Sequence, residues 1–81
     1  MRDLDSAKRL LLLARKDLRA VATLTREESP DVETVGFHAQ QAVEKTMKAW
    51  LAMLGVEFPR THSLRILLSL LEEHNVEVDE L

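Results

Sequence analysis

The chain of 81 residues contains no cysteine, which excludes both a disulfide framework and a cysteine-based metal site. Glycine and proline occur only twice each, so long stretches are free of the residues that interrupt helices. No unbroken apolar run approaches the ~20 residues that a membrane-spanning helix needs. The N-terminal residues also lack the apolar segment of a signal peptide. We therefore expect a cytoplasmic protein with no membrane partner.

The chain also lacks an excess of positive charge. Eleven lysine and arginine residues stand against 14 aspartate and glutamate residues, for a net charge of −3 at pH 7. This balance excludes a protein held on nucleic acid by bulk charge, although it leaves room for a local basic stripe. A domain of this size buries only about 60–65% of its unfolded surface. We therefore expect a single domain over residues 1–81 that gains further burial as a homodimer.

Apolar residues recur at helical spacing in three segments, which predicts an all-α fold. The predicted helices cover residues 4–25, 30–54 and 63–74. They form an antiparallel helical hairpin plus a third helix. Two long helices and one short helix leave one side of the layer uncovered, and a second protomer is the simplest cover.

Capping residues mark the ends of these segments. Ser29 followed by Pro30 predicts the start of the second helix, and Gly55 predicts its end. Thr61 or Ser63 is the predicted cap of the third helix. The acidic residues 76–81 are expected to form a frayed end or a short extension.

The apolar residues of the second helix separate into a predicted core face and a remainder. The predicted core face consists of Val35, Ala39, Ala42, Val43, Thr46, Trp50, Met53 and Leu54. Four large apolar residues lie outside the best apolar arcs of the first two helices, and they are the predicted dimer contacts. These are Leu12, Phe37, Met47 and Leu51.

A polar stripe follows the second helix. It is formed by His38, Gln41, Lys45 and Lys48, which succeed each other at helical spacing. Lysine supplies a point charge, while histidine and glutamine add directional hydrogen bonds, so the set suits a phosphate or a nucleotide edge. The same spacing also fits a solvated helix face with a Glu44–Lys48 ion pair.

Three further residues are candidates for ligand binding. Asp17 falls inside the apolar arc of the first helix, where a buried carboxylate needs a partner such as His38 or Lys45. The alternative is that Asp17 lies at the rim of the core in water. Arg60 and His62 stand at the start of the third helix, where free N–H groups favour an anion site, with a simple capping turn as the alternative.

The histidines do not have the spacing of metal ligands. His38, His62 and His74 form no His-x-x-x-His or Glu-x-x-His pair. Neither a phosphate-binding glycine loop nor a nucleophile elbow is present. The residues alone therefore predict no metal, no cofactor and no catalytic residue.

Several motifs together resemble the HEPN domain, named for higher eukaryotes and prokaryotes nucleotide-binding. They are Phe37-His38-Ala39-Gln40-Gln41-Ala42-Val43-Glu44-Lys45, then Lys48-Ala49-Trp50-Leu51, Gly55, Phe58-Pro59-Arg60-Thr61-His62-Ser63-Leu64 and Leu67-Leu68. The first helix, with Ala14, Asp17 and Leu18, is similar too. The resemblance covers most of the chain.

This resemblance implies an antiparallel up-and-down helical bundle, usually of four to five helices and commonly homodimeric. It also implies that small prokaryotic members are often encoded beside a minimal nucleotidyltransferase, in pairs that can act as toxin and antitoxin. Ribonuclease members carry an Arg followed four to six residues later by a His, and no Arg and His here have that spacing. His38, Gln41, Lys45 and His62 therefore match the family pattern without supplying a catalytic pair.

We expect a HEPN-like module that binds a nucleotide or a protein partner, with a nucleotidyltransferase as the implied partner in a toxin–antitoxin-type pair. One alternative is an RNA-cleaving toxin, in which a dimer brings His62 and Arg60 of two chains together around one phosphate. The other alternative is a purely structural module for helical dimerisation.

Overall fold

A computed structural model describes residues 2–74, which form three α-helices. The helices are α1 at Leu4–Leu24, α2 at Val32–Leu54 and α3 at Leu64–Glu73. The predicted all-α fold is confirmed, and each predicted boundary lies within two residues of the observed one. The end expected over residues 76–81 lies outside the described residues. In the described range, none of the three helices has both the length and the apolar character that crossing a membrane requires.

Helix capping agrees with the sequence at two helix ends and differs at one. Ser63 caps α3, and Gly55 ends α2 in the left-handed conformation at φ 76°, as predicted. The predicted cap at Ser29 is wrong, because Asp31 caps α2 instead. Its Oδ1 accepts a hydrogen bond of 3.1 Å from the backbone N–H of Glu33.

α1 and α2 pack against each other as an antiparallel hairpin through small side chains. The backbone N–H of Asp3, just before α1, donates to the carbonyl oxygen of Ala52 near the end of α2, at 2.9 Å. Alanine at the interface lets the two helix backbones approach closely. The buried alanines are Ala7, Ala14, Ala42, Ala49 and Ala52.

α3 packs on another side of α2. Leu51 of α2 and Leu67 and Leu71 of α3 are fully buried against each other. Partly buried apolar side chains surround them, namely Met47, Trp50, Val56, Phe58 and Leu70. Within residues 2–74, α1 and α3 do not pack on each other, so α2 is the central helix.

Two of the four predicted dimer contacts are placed differently by this packing. The prediction for Leu51 is wrong, because its side chain is 0% exposed and belongs to the α2–α3 core. Met47 is half-buried against the same core. Leu12 and Phe37 are exposed, at 60% and 57%, and their part in a dimer stays a prediction.

The predicted core face of α2 is also partly wrong. Val43, Met53 and Leu54 are 44–46% exposed, because α1 covers the alanine side of α2 and α3 covers the Leu51 side. The wall of α2 between those two sides stays open. It carries two adjoining cavities of about 250 Å³ each. We call this surface the apolar strip and define it by Leu11, Leu18, Val43, Thr46, Trp50 and Met53.

Candidate functional site

The wall of α2 opposite the apolar strip is polar. Successive residues of a helix are rotated by about 100°, which places His38 and Lys45 beside α1 and Glu44 beside the chain leading to α3. Gln41 and Lys48 lie between these two edges. We call the five residues the polar strip.

The edge beside α1 is closed by a buried carboxylate. Asp17 of α1 is 8% exposed. His38 Nδ1 lies 2.9 Å from Asp17 Oδ1, and Lys45 Nζ donates to Asp17 Oδ2 at 2.5 Å. Of the two alternatives for Asp17, the buried and paired arrangement is correct, and both of its predicted side-chain partners contact it.

The ionisation of Asp17 follows from these contacts. Burial acts to raise the pKa of Asp17, but the hydrogen bonds from Lys45 and His38 outweigh it and hold the pKa below its ordinary value. The carboxylate is therefore charged at neutral pH. It ties α1 to the polar strip through two charge-assisted hydrogen bonds, from Lys45 Nζ and His38 Nδ1, because the acceptor of both bonds is ionised.

A second carboxylate cluster closes the opposite edge. Glu44 is 2% exposed, and Lys48 Nζ donates to its Oε2 at 3.2 Å. His62 Nδ1 lies 3.1 Å from both carboxylate oxygens, while the His62 side chain is 82% exposed. Glu44 thus connects α2 to the segment that leads into α3.

Glu44 was missed as a site residue, since the sequence identified it only as the ion-pair partner of Lys48. A signal for its burial was present, because Glu44 lies seven residues before Leu51 and so shares its side of the helix. That side is the one covered by α3. His62, by contrast, was predicted and does join the cluster.

The two clusters share one design. Each carboxylate holds one lysine and the Nδ1 edge of one histidine. A carboxylate at Nδ1 favours the tautomer with its proton there, which leaves Nε2 on the opposite ring edge as an acceptor. An accepting Nε2 suits a hydroxyl donor, and because two carboxylates balance two lysines, an anion would be held here by short-range hydrogen bonds from other donors rather than by bulk charge.

Two predicted residues, Gln41 and Arg60, join neither cluster. Gln41 is half-buried between the two clusters, and Arg60 is exposed in the connector two residues before His62. At the start of α3, Thr61 Oγ1 accepts from the Ser63 N–H at 3.0 Å, and Ser63 Oγ accepts from the Ile66 N–H at 3.4 Å. This arrangement matches the capping turn that was the alternative to an anion site.

The arrangement of the possible ligand side chains does not fit a metal site in the part of the chain that the structure describes. Within residues 2–74, no three histidine, aspartate or glutamate side chains converge as a ligand set. Each cluster instead combines a single carboxylate with a single histidine, and a lysine ammonium occupies the other side of the carboxylate. A lysine in that place supplies no lone pair to a metal while it is protonated.

The fold and the site define an all-α helical module with a buried carboxylate–histidine–lysine cluster along each edge of the polar wall of its central helix. A family model described as HEPN domain matches residues 4–81. The match covers nearly the whole chain, and the chain therefore belongs to the HEPN family, a nucleotide- or RNA-related class of helical modules. Neither the curated proteins nor the solved structures contained a match.

Proposed function

We propose that the polar strip binds the phosphate and sugar groups of a nucleotide. The observation that carries this proposal is a pair of histidines that flank the polar wall of α2, His38 on α2 itself and His62 in the connector before α3, each held at Nδ1 by a buried carboxylate. A ring held in this way has its Nε2 oriented to accept from a sugar hydroxyl before a ligand arrives. Orientation in advance lowers the entropy that binding costs.

The groups around the histidines complement such a ligand. The Gln41 amide can donate to a phosphate oxygen and accept from a ribose hydroxyl. Arg60 lies in the connector next to His62 and is exposed, so its guanidinium is available for a bidentate contact with phosphate. Family membership supports the nucleotide or RNA class of the ligand.

Titration calorimetry with ATP tests this proposal. Arg60→Ala and Gln41→Ala each remove one contact without breaking either carboxylate cluster, so the fold is preserved. We expect Arg60→Ala to weaken binding by about tenfold, the loss typical of a hydrogen bond to a charged group. The matched control is Arg15→Ala, an exposed arginine on α1 beside Leu12, which should leave the affinity unchanged. Absence of heat at millimolar ATP would contradict the proposal.

We also propose that the protein partner is a nucleotidyltransferase, with which the chain acts in a toxin–antitoxin-type pair. Membership of the HEPN family supports this pairing. The test is co-expression with a nucleotidyltransferase encoded beside this chain, followed by size-exclusion chromatography. A stoichiometric complex is the expected result, and separate elution of the two proteins would contradict it.

RNA cleavage is a second candidate function, favoured by one specific observation. His62 is 82% exposed on its side chain and is held by Glu44, as a general base would be held by a carboxylate. Incubation with single-stranded RNA should then give cleavage by the wild type and none by His62→Ala. Equal cleavage by both proteins would identify a contaminating nuclease.

A further inference from the structure

Phe37 is the aromatic ring that the core does not use. The chain has two phenylalanines, one tryptophan and no tyrosine. Trp50 and Phe58 pack against the α2–α3 core, whereas Phe37 is 57% exposed. An exposed ring of this size keeps a large apolar surface in water, which is unfavourable unless something covers it.

Phe37 lies at one end of the polar strip. It precedes Gln41 by four residues and Lys48 by eleven, so all three share one wall of α2. Eleven residues at about 1.5 Å each separate Phe37 from Lys48 by about 16 Å along the helix axis. The ring and the Glu44–Lys48–His62 cluster therefore mark the two ends of one surface.

The ring is also oriented by a neighbour. The rings of Phe37 and His38 meet edge to face, with centroids 5.4 Å apart and planes at 76°. His38 is itself held by Asp17. A chain of contacts from a buried carboxylate thus restrains an exposed aromatic ring, as expected of a surface used for stacking.

We infer that Phe37 is the stacking platform for a nucleobase whose phosphates extend along the polar strip toward His62. This inference rests on the proposed function. It adds the nucleobase, a part of the ligand that the polar strip alone would not recognise. A base stacks on an aromatic ring whatever its identity, because every base has a flat π-face. The ligand is therefore a base-bearing phosphate compound, either a free nucleotide or a single strand of RNA.

The alternative occupant of Phe37 is a second copy of the chain, as the sequence predicted. The position of the ring argues against that occupant. Phe37 lies on the polar wall, away from the apolar strip that contains Leu18 and Val43. A protein surface that covered Phe37 would also have to bury the neighbouring polar amide of Gln41, which is costly without matched partners.

The test compares two substitutions of Phe37 against three ligands by fluorescence anisotropy and calorimetry. Phe37→Leu removes the ring and keeps an apolar side chain, while Phe37→Tyr keeps the ring. The ligands are a labelled uridine oligonucleotide, ATP, and inorganic polyphosphate, which has no base. We expect Phe37→Leu to weaken binding of the base-bearing ligands by about 5- to 150-fold, to leave polyphosphate unaffected, and Phe37→Tyr to bind as the wild type does.

The outcomes separate this inference from the proposed function. If the wild type binds none of the three ligands, the proposed function and the platform are both wrong. If it binds the oligonucleotide or ATP and Phe37→Leu binds equally well, only the platform is wrong. A change of oligomeric state in Phe37→Leu, measured by sedimentation, would assign the ring to a dimer contact and overturn the inference.

The control variant is Leu12→Ala, which truncates an exposed apolar residue of α1 outside the polar strip. It should match the wild type with all three ligands. The relative affinities for ATP and the oligonucleotide then show whether the ligand is a free nucleotide or a single strand of RNA. A strand that uses the full length of about 16 Å between Phe37 and Lys48 gains contacts that a single nucleotide lacks, so tighter binding of the oligonucleotide indicates RNA.

Discussion

Asp17 and Glu44 are the two buried charged residues of the part of the chain that the structure describes. Burying a carboxylate is unfavourable unless it is paired and hydrogen-bonded, and each of these has a lysine and a histidine. Both carboxylates also connect separate segments, Asp17 across α1 and α2 and Glu44 across α2 and the connector before α3. Removing either carboxylate should therefore lower the stability of the fold as well as the affinity for any ligand.

Glu44→Gln keeps the size of the side chain and removes its charge. We expect it to lower the free energy of unfolding by about 1–3 kcal/mol, because the partly buried Lys48 ammonium loses its ionic partner. Urea unfolding followed by circular dichroism measures this loss. The matched control is Glu72→Gln on the exposed surface of α3, which should change stability by less than about 0.5 kcal/mol. Equal stabilities of the two variants would show that the Glu44 cluster does not hold the fold.

The lowered pKa of Asp17 makes stability depend on pH in the acidic range. Between the folded and unfolded pKa values the unfolded chain binds more protons, so stability rises with pH there. The contribution of Asp17 is complete above the unfolded pKa of about 3.9 and is lost as the pH falls through the folded-state pKa.

Asp17→Asn should lower stability at neutral pH and flatten its fall between about pH 5 and pH 2. Urea unfolding at a series of pH values measures both effects. Hydrogen bonds from Ser6 also hold the pKa of exposed Asp3 below its ordinary value. The pH profile of Asp3→Asn is therefore measured as well, to separate the acid sensitivity due to Asp3 from that due to Asp17. A pH profile of Asp17→Asn parallel to that of the wild type would contradict the assignment to Asp17.

At the scale of single residues, the burial and pairing of Asp17 were easier to predict from the sequence than those of Glu44. Asp17 interrupts an apolar arc, so its need for a partner is visible in the pattern, and the predicted partners are the observed ones. Glu44 stands next to other polar residues, where a charge looks solvated. Its burial depends on the position of α3, which helical spacing within α2 does not define.

At the scale of the helices, the boundaries were predictable because they depend on local chemistry. Ser63 and Gly55 act where the sequence places them, and the error at Ser29 arose because two capping residues stand close together. The side of α2 that faces each neighbour was harder to predict. α2 is apolar around most of its circumference, so spacing alone did not show that Leu51 would be buried and Val43 exposed.

Substitution by alanine should change stability in opposite directions at Gly36, inside α2, and at Gly55, at its end. Gly55→Ala places a side chain in the left-handed conformation at φ 76° and should cost about 1–2 kcal/mol. Gly36 lies inside α2 with nothing within 4 Å of an added Cβ, so Gly36→Ala should stabilise by about 0.5–1 kcal/mol. Thermal unfolding of the two variants measures both signs, and a stabilised Gly55→Ala would show that α2 does not end as described.

At the scale of the whole molecule, the expected homodimer stays a prediction, and its most suitable surface is the apolar strip. Leu18 and Val43 are 56% and 45% exposed there, and a small chain without disulfides gains stability from covering such a surface with a second copy. Val43→Asp should then shift the protein toward the monomer in sedimentation velocity. Leu12→Asp, outside the strip, tests the dimer contact predicted at Leu12, and a shift with Leu12→Asp but none with Val43→Asp would place the interface there instead. Leu51→Asp is unsuitable for this test, because it would disrupt the α2–α3 core.

The absence of packing between α1 and α3 in the described residues has a consequence for local unfolding. Each outer helix depends on its own contact with α2, so α3 can detach while the α1–α2 hairpin remains closed. The backbone amides of α3 would then exchange with solvent through a sub-global opening, at a lower free energy than those at the alanine interface. His62 lies two residues before α3, so detachment of α3 would also pull on its contact with Glu44. A ligand bound to His62 would therefore slow the hydrogen exchange of the α3 amides more than that of the rest of the molecule.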